Sequence, residues 1–261
     1  MFWDSHCHLD PEVYGSDEAV DAVVARAVSE GVTAMTTIGS GYGLRGARAA
    51  AAVSARHPDR VWFTVGVHPH DAKIWSQEAR DLLVSLGGQP GCVALGEMGL
   101  DFHYDLSPRD QQRQVLREQV RLALSLDQPI VVHDRSAGRE VLEILTDEGA
   151  FDGQVLWHCF TGDVGYMRDI VAMGGFISVP GIVTFKNAGE MRTVAAEIPD
   201  DRLLIETDSP YLTPTPHRGS QNEPAYVRHV AEVVADIRGV TPEALGALAA
   251  SNTRRFYRVT S

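Results

Sequence analysis

"SDEAVDAVVARAVSEG" (residues 16–31), followed at once by "VTAMTTIG" (32–39), is the stretch from which the fold can be read. Ser16 is a residue type that caps helix N-termini, Asp17 and Glu18 suit the positive end of a helix, and Gly31 supplies a stop. Between these signals Val20, Val23, Val24, Ala27 and Val28 fall at i, i+3, i+4, i+7 and i+8, one apolar stripe of an amphipathic helix. The β-branched run after Gly31 predicts a strand. Helix then strand, joined by one glycine, is half of a βαβ unit.

The unit repeats on both sides. Strands are predicted at 2–8, 32–38, 61–67, 92–97, 129–133, 154–159, 175–179 and 202–206, with further helices near 44–57, 76–87, 108–126, 137–149, 164–174, 187–198, 224–238 and 242–250. No linker or low-complexity tract divides the chain. Eight strands alternating with helices over 261 residues predict an α/β protein, a single-domain (β/α)8 TIM barrel spanning 1–261. An open doubly wound sheet is the competing arrangement, but no GxGxxG fingerprint follows the first strand.

Composition sets the class. A hydrophobic fraction of 44% and a charged fraction of 22% describe an ordinary globular protein. No apolar stretch approaches the ~20 residues of a membrane helix, so no membrane association is expected. The N-terminus lacks the basic and apolar regions of a signal peptide, and Cys7, Cys92 and Cys159 make no disulfide framework. A cytoplasmic location is the expectation, and a monomer is compatible with it. The net charge of −12 argues against tight, sequence-independent binding to long nucleic acid. It leaves phosphate chemistry open, because a divalent metal site carries its own positive charge.

The predicted strands end in an unusual set of side chains. Strand one closes on His6 and His8, which alternation puts on one face with Cys7 on the other. Strand three leads to His68, strand four to Glu97, strand five to His133 and strand six to His158, and Asp208 follows strand eight. A lone His after an apolar run is ordinarily a hydrogen-bonded structural residue. Four such strands together with Glu97 and Asp208, all meeting on the functional rim of a barrel, read as a metal centre. His6, His8, Glu97, His133, His158 and Asp208 exceed the needs of one tetrahedral ion, so two divalent ions (Mg, Mn or Zn) are expected, with Glu97 between them. Asp208 is the candidate base and metal ligand, Glu97 the bridging catalytic carboxylate, and His68 and Arg135 the candidates to hold substrate phosphate.

"DSHCHLD", "GVHPH", "GEMGLDFHYD", "HDRSAGRE", "HCFTGD", "GIVTFKNA", "IETDSPYLTP" and "RGSQNEPAYV" occur in that order from residue 4 to about residue 228. In these motifs the sequence resembles the TatD family of metal-dependent hydrolases, within the amidohydrolase-like barrels. The resemblance implies a TIM barrel, a two-metal centre and deoxyribonuclease activity, often 3′ to 5′ exonuclease action on single-stranded DNA. It implies ligand roles for the same six residues. One position departs from the pattern: Gln221 stands where members often carry a basic residue before "NEP".

The expected activity is therefore phosphodiester hydrolysis of DNA by a hydroxide activated between two metals. The alternative is a two-metal barrel hydrolase of a small ester, lactone or amide. Many such enzymes bridge their ions with a carboxylated lysine on strand four, where this chain has Glu97. A non-catalytic metal-binding protein is a third reading, weakened by the intact ligand set. The stripe Arg109, Arg113, Arg117 and Arg121 reads as a solvated helix face rather than a nucleic-acid track, and "NTRRFYRV" (252–259) as a surface helix. Cys7 and Cys159 are expected to pack away from the site.

Overall fold

A computed structural model describes residues 1–151 and 154–260. Its strands are β1 (Phe2–Cys7), β2 (Val32–Gly39), β3 (Val61–Val65), β4 (Cys92–Asp101), β5 (Ile130–Arg135), β6 (Val155–Trp157), β7 (Phe176–Val179) and β8 (Leu203–Ile205). They form one parallel sheet in the order β1 to β8. The helices are α1 (Pro11–Tyr14), α2 (Asp17–Ser29), α3 (Leu44–Arg56), α4 (Gln77–Gly87), α5 (Arg109–Ser125), α6 (Glu140–Asp147), α7 (Val164–Ala172), α8 (Gly189–Glu197), α9 (Val227–Arg238) and α10 (Pro242–Phe256). Parallel neighbours require crossovers, and the helices supply them. This is the (β/α)8 barrel that the sequence rhythm predicts. Among the described residues, no helix is long and apolar enough to cross a membrane.

The opening stretch shows how local chemistry sets the elements. Ser16 Oγ accepts the Ala19 N–H at 3.2 Å, capping α2, and the helix buries Val20, Val23, Val24 and Ala27. Other boundaries differ from expectation for physical reasons. Strand β4 runs four residues beyond Glu97, because Met98 to Asp101 stay paired with Val132 to Arg135. Strands β6 and β8 stop short, leaving His158 and Glu206 just past their ends. α10 continues to Phe256, whose buried ring packs with Phe176 of β7. The short α1 carries too few residues for any apolar period; Asp10 Oδ1 caps it by accepting the Glu12 N–H at 2.9 Å.

The barrel closes where the chain beyond β8 meets β1. Asp208 N donates to the His6 carbonyl at 3.0 Å, and His8 N donates to the Ser209 carbonyl at 2.7 Å. Buried Asp4 fastens the same seam, accepting from Thr207 N at 2.9 Å and from Thr207 Oγ1 at 2.5 Å. Closure thus fixes the backbone of three candidate site residues at once.

Strand β4 approaches its neighbours unusually closely. Gly96 pairs with Val131 and Met98 with Val132, so Glu97 is the extra residue of a bulge. A Cβ on Gly99 would lie 1.8 Å from the His133 carbonyl oxygen, and one on Gly96 2.4 Å from that of Val131. The "GEMG" spelling is therefore a packing requirement around Glu97. Gly99→Ala is expected to destabilise the barrel by about 2–3 kcal/mol, read as a lower urea midpoint; an unchanged midpoint would contradict the close approach.

Candidate metal centre

The side chains named at the strand ends converge on Glu97. This carboxylate is 2% exposed, and its two oxygens face two different groups. Oε2 looks toward His6 Nε2 at 3.7 Å and His8 Nε2 at 3.9 Å. Asp208 Oδ1 completes that group, 3.7 Å from His6 Nε2 and 3.5 Å from His8 Nε2. Oε1 lies 2.9 Å from His133 Nδ1 and 2.9 Å from His158 Nε2. Burial alone would push the Glu97 carboxyl up, but the imidazoles, His158 foremost and then His68, outweigh it and hold it well below the usual carboxylate range.

The first group fits a divalent cation on its own chemistry. His6 is fully buried, and neither ring nitrogen has a hydrogen-bond partner. Burial, reinforced by neighbouring His158, pushes its pKa well down, so the ring is neutral and keeps a lone pair. Separations of 3.5–3.9 Å are long for hydrogen bonds. They approach the spacing of two donors that share one ion at ~2.1 Å each.

The second group is held from behind. Asp101, at 0% exposure, has Oδ2 3.2 Å from His133 Nε2 and 2.7 Å from His70 Nε2. Its Oδ1 accepts from the backbone of His103 at 3.0 Å and Tyr104 at 2.9 Å. His133 thus has a carboxylate at each ring nitrogen, and Asp101 and Glu97 raise its pKa although burial lowers it; with an ion at Nδ1, Asp101 would hold the proton at Nε2. Glu206 stands behind His158, with Oε1 3.4 Å from Nδ1 and bonded to Cys159 N at 2.6 Å. Asp101, His70 and Glu206 carry no role in the sequence reading. Asp101 was legible only to a reader who kept β4 extended to 101, since residues 97, 99 and 101 then fall on alternate positions.

His68 is in the same place but in another state. Its Nδ1 accepts the His70 N–H at 3.1 Å, so the neutral ring carries its proton on Nε2, which lies 3.3 Å from Glu97 Oε1. Burial drives its pKa down to about 4. It therefore presents an N–H donor into the mouth and not a lone pair. Arg135 ends β5 at the rim, its guanidinium 5.0 Å from the Tyr104 ring centre. His6 and His8 do share a side, and Cys7 packs into the core, its Sγ donating to the Thr36 carbonyl at 3.4 Å.

Cys159 departs from expectation. Strand alternation ends at Trp157, Cys159 takes φ +44°, and it lines the mouth. The arginine stripe of α5 faces its own carboxylates: Arg109 pairs with Asp105, Arg113 with Asp110 and Glu140, and Arg117 and Arg121 with Glu148. Gln221 donates to the Val13 carbonyl at 3.3 Å, outside the mouth. The mouth itself is a cavity of about 910 Å³, near the upper end of the range for small-ligand sites.

A barrel with imidazoles and carboxylates gathered at the C-terminal ends of its strands has the architecture of a metal-dependent hydrolase. A family model described as "TatD related DNase" matches residues 3–258, and the chain belongs to that family. The uncharacterized metal-dependent hydrolase YabD of Bacillus subtilis is 39% identical over 259 residues, covering 99% of this chain and all of YabD. The 3′-5′ ssDNA/RNA exonuclease TatD of Salmonella typhimurium is 38% identical over 245 residues, 92% of this chain and 93% of its own. The crystal structure of the TatD homolog YJJV from Escherichia coli K12 superposes with a TM-score of 0.89 at 27% identity, covering 99% of this chain and 98% of that one.

The support behind His133 makes a test. Asp101→Asn is expected to weaken binding of metal by roughly 10–100-fold, measured by titration of the metal-stripped protein with Zn or Mn. Wild-type affinity in that variant would refute the orienting role.

Proposed function

We propose that this chain is a metal-dependent nuclease that removes nucleotides from single-stranded DNA, with two divalent ions (Mg, Mn or Zn) on either side of Glu97. The observation that carries the reading is the division of the Glu97 oxygens between two donor groups, His6–His8–Asp208 and His133–His158. Donors gathered separately at the two oxygens of one carboxylate suit two ions. When bound, such ions lower the pKa of a water and polarise a phosphoryl oxygen.

The protein's own groups do the rest. The Asp208 carboxylate, with Oδ1 turned to His6 and His8, takes the proton of the attacking water on its other oxygen, from a backbone held at φ +54° by the closure seam. His68 Nε2–H and Arg135 hold non-bridging phosphate oxygens, one as a neutral donor and one as a cation. Glu97 keeps the two donor groups in register. The name of the Salmonella relative supports DNA, and equally RNA, as the polymer. Three free cysteines agree with a reducing cytoplasm as its location. Hydrolysis of a small ester, lactone or amide is the second reading, favoured by the net charge of −12.

A time course on end-labelled single-stranded DNA, with metal or with chelator, separates the two. Metal-dependent stepwise shortening from one end is expected in the wild type and absent in Glu97→Ala. Asp208→Asn is expected to lose at least 100-fold in kcat while still binding metal. An intact strand after incubation with metal-replete wild type, alongside turnover of a small ester, would favour the second reading.

A further inference from the structure

Among the described residues seven large apolar side chains are exposed, and four of them, Tyr42, Tyr104, Leu106 and Tyr211, line the mouth of this one cavity. Scattered surface apolar groups need no explanation, but a cluster around a polar centre does. The tyrosines form two platforms. On one side Tyr42 Oη and Tyr211 Oη are hydrogen-bonded at 2.5 Å, and the Tyr211 ring meets His8 edge-on at 5.9 Å. On the other, Tyr104 has the Arg135 guanidinium 5.0 Å from its ring centre and His70 edge-on at 5.4 Å. Each platform therefore adjoins one of the two donor groups, through His8 on one side and through His70 and Asp101 on the other.

Charge says what these rings are for. Proteins that bind nucleic acid by phosphate neutralisation carry an unpaired basic surface. Here the chain is net −12, and the arginine stripe of α5 is neutralised by its neighbours. Beyond the one phosphate that His68, Arg135 and the ions would hold, stacking of bases on aromatic faces is a further source of affinity, and the faces of bases are open in a single strand. We infer that Tyr42–Tyr211 and Tyr104 are stacking platforms for the unpaired bases of a single-stranded end, so that the enzyme grips its substrate by its bases as well as by its phosphates. The inference rests on the nuclease reading and specifies how that substrate is chosen. A duplex, whose bases stack on one another, offers these rings only the outer face of its end pair.

The test is the affinity of the metal-replete protein for a short fluorescein-labelled thymidine strand, phosphorothioate-linked so that it resists cleavage, read by anisotropy. A second strand carries abasic sites in its terminal nucleotides. Tyr42→Ala, Tyr211→Ala and Tyr104→Ala are each expected to weaken binding of the intact strand roughly ten-fold. The Phe variants at the same positions, which keep the ring, stay within about two-fold of wild type on that account. Val84→Ser, which removes an exposed apolar group from the outer face of α4, leaves affinity unchanged. The wild type binds the abasic strand as weakly as the Ala variants bind the intact one. Equal affinity for intact and abasic strands, or Ala variants that match their Phe counterparts, would overturn the stacking role. Cleavage of an ordinary phosphodiester strand is scored separately. Base-dependent binding without cleavage keeps the platforms and refutes the nuclease; cleavage with base-indifferent binding does the reverse.

Discussion

A carboxylate buried among imidazoles is the constraint around which this barrel is arranged. An isolated buried anion is costly, and Glu97 is tolerated because imidazoles from the ends of β1, β3, β5 and β6 surround it. Each element must be positioned for that to happen. The bulge in β4 aims Glu97 inward, the glycines on either side let β4 press against β5, and the seam between Asp208 and His6 brings the chain end back to its beginning. Fold and site are in this sense one requirement. A change that spoils closure also separates His6, His8 and Asp208.

The histidines around Glu97 are made different by what stands behind them. Asp101 draws the proton of His133 to Nε2, while the backbone of His70 draws that of His68 to the same atom. His133 turns Nδ1 to Glu97 with a carboxylate behind it at Nε2, so an ion at Nδ1 would leave it a proton partner; His68 turns its protonated Nε2 to Glu97. Two imidazoles, both within 3.3 Å of one carboxylate oxygen, therefore suit different tasks, one to ligate and one to donate. Type and spacing alone do not reveal this, because a hydrogen bond from a neighbouring backbone decides the tautomer.

Much of the architecture was legible because it is periodic. The apolar stripe of α2, its Ser16 cap and the Gly31 stop are local signals, and the same signals recur around the barrel. The convergence of His6, His8, Glu97, His133, His158 and Asp208 follows from topology, since parallel strands in a barrel end on one rim. What was not legible depends on contacts that periodicity does not encode. Asp101 was hidden by ending β4 at Glu97, where glycines and a bulge resemble a loop. Alternation carried past Trp157, the last residue of β6, puts Cys159 on the wrong face. The tyrosine rim lies on loops, where no pattern of residue types announces which way a side chain faces. The arginine stripe does lie at the surface, where carboxylates on α6 and just beyond it pair with its charges.

The central claim is that Glu97 stands between two ions. An anomalous-difference map from crystals of the Mn- or Zn-loaded protein tests it most directly. Two peaks about 3.5–4 Å apart are expected, one beside His6, His8 and Asp208 and the other beside His133 and His158, with Glu97 between them. A single peak, or a second one away from Glu97, would contradict it.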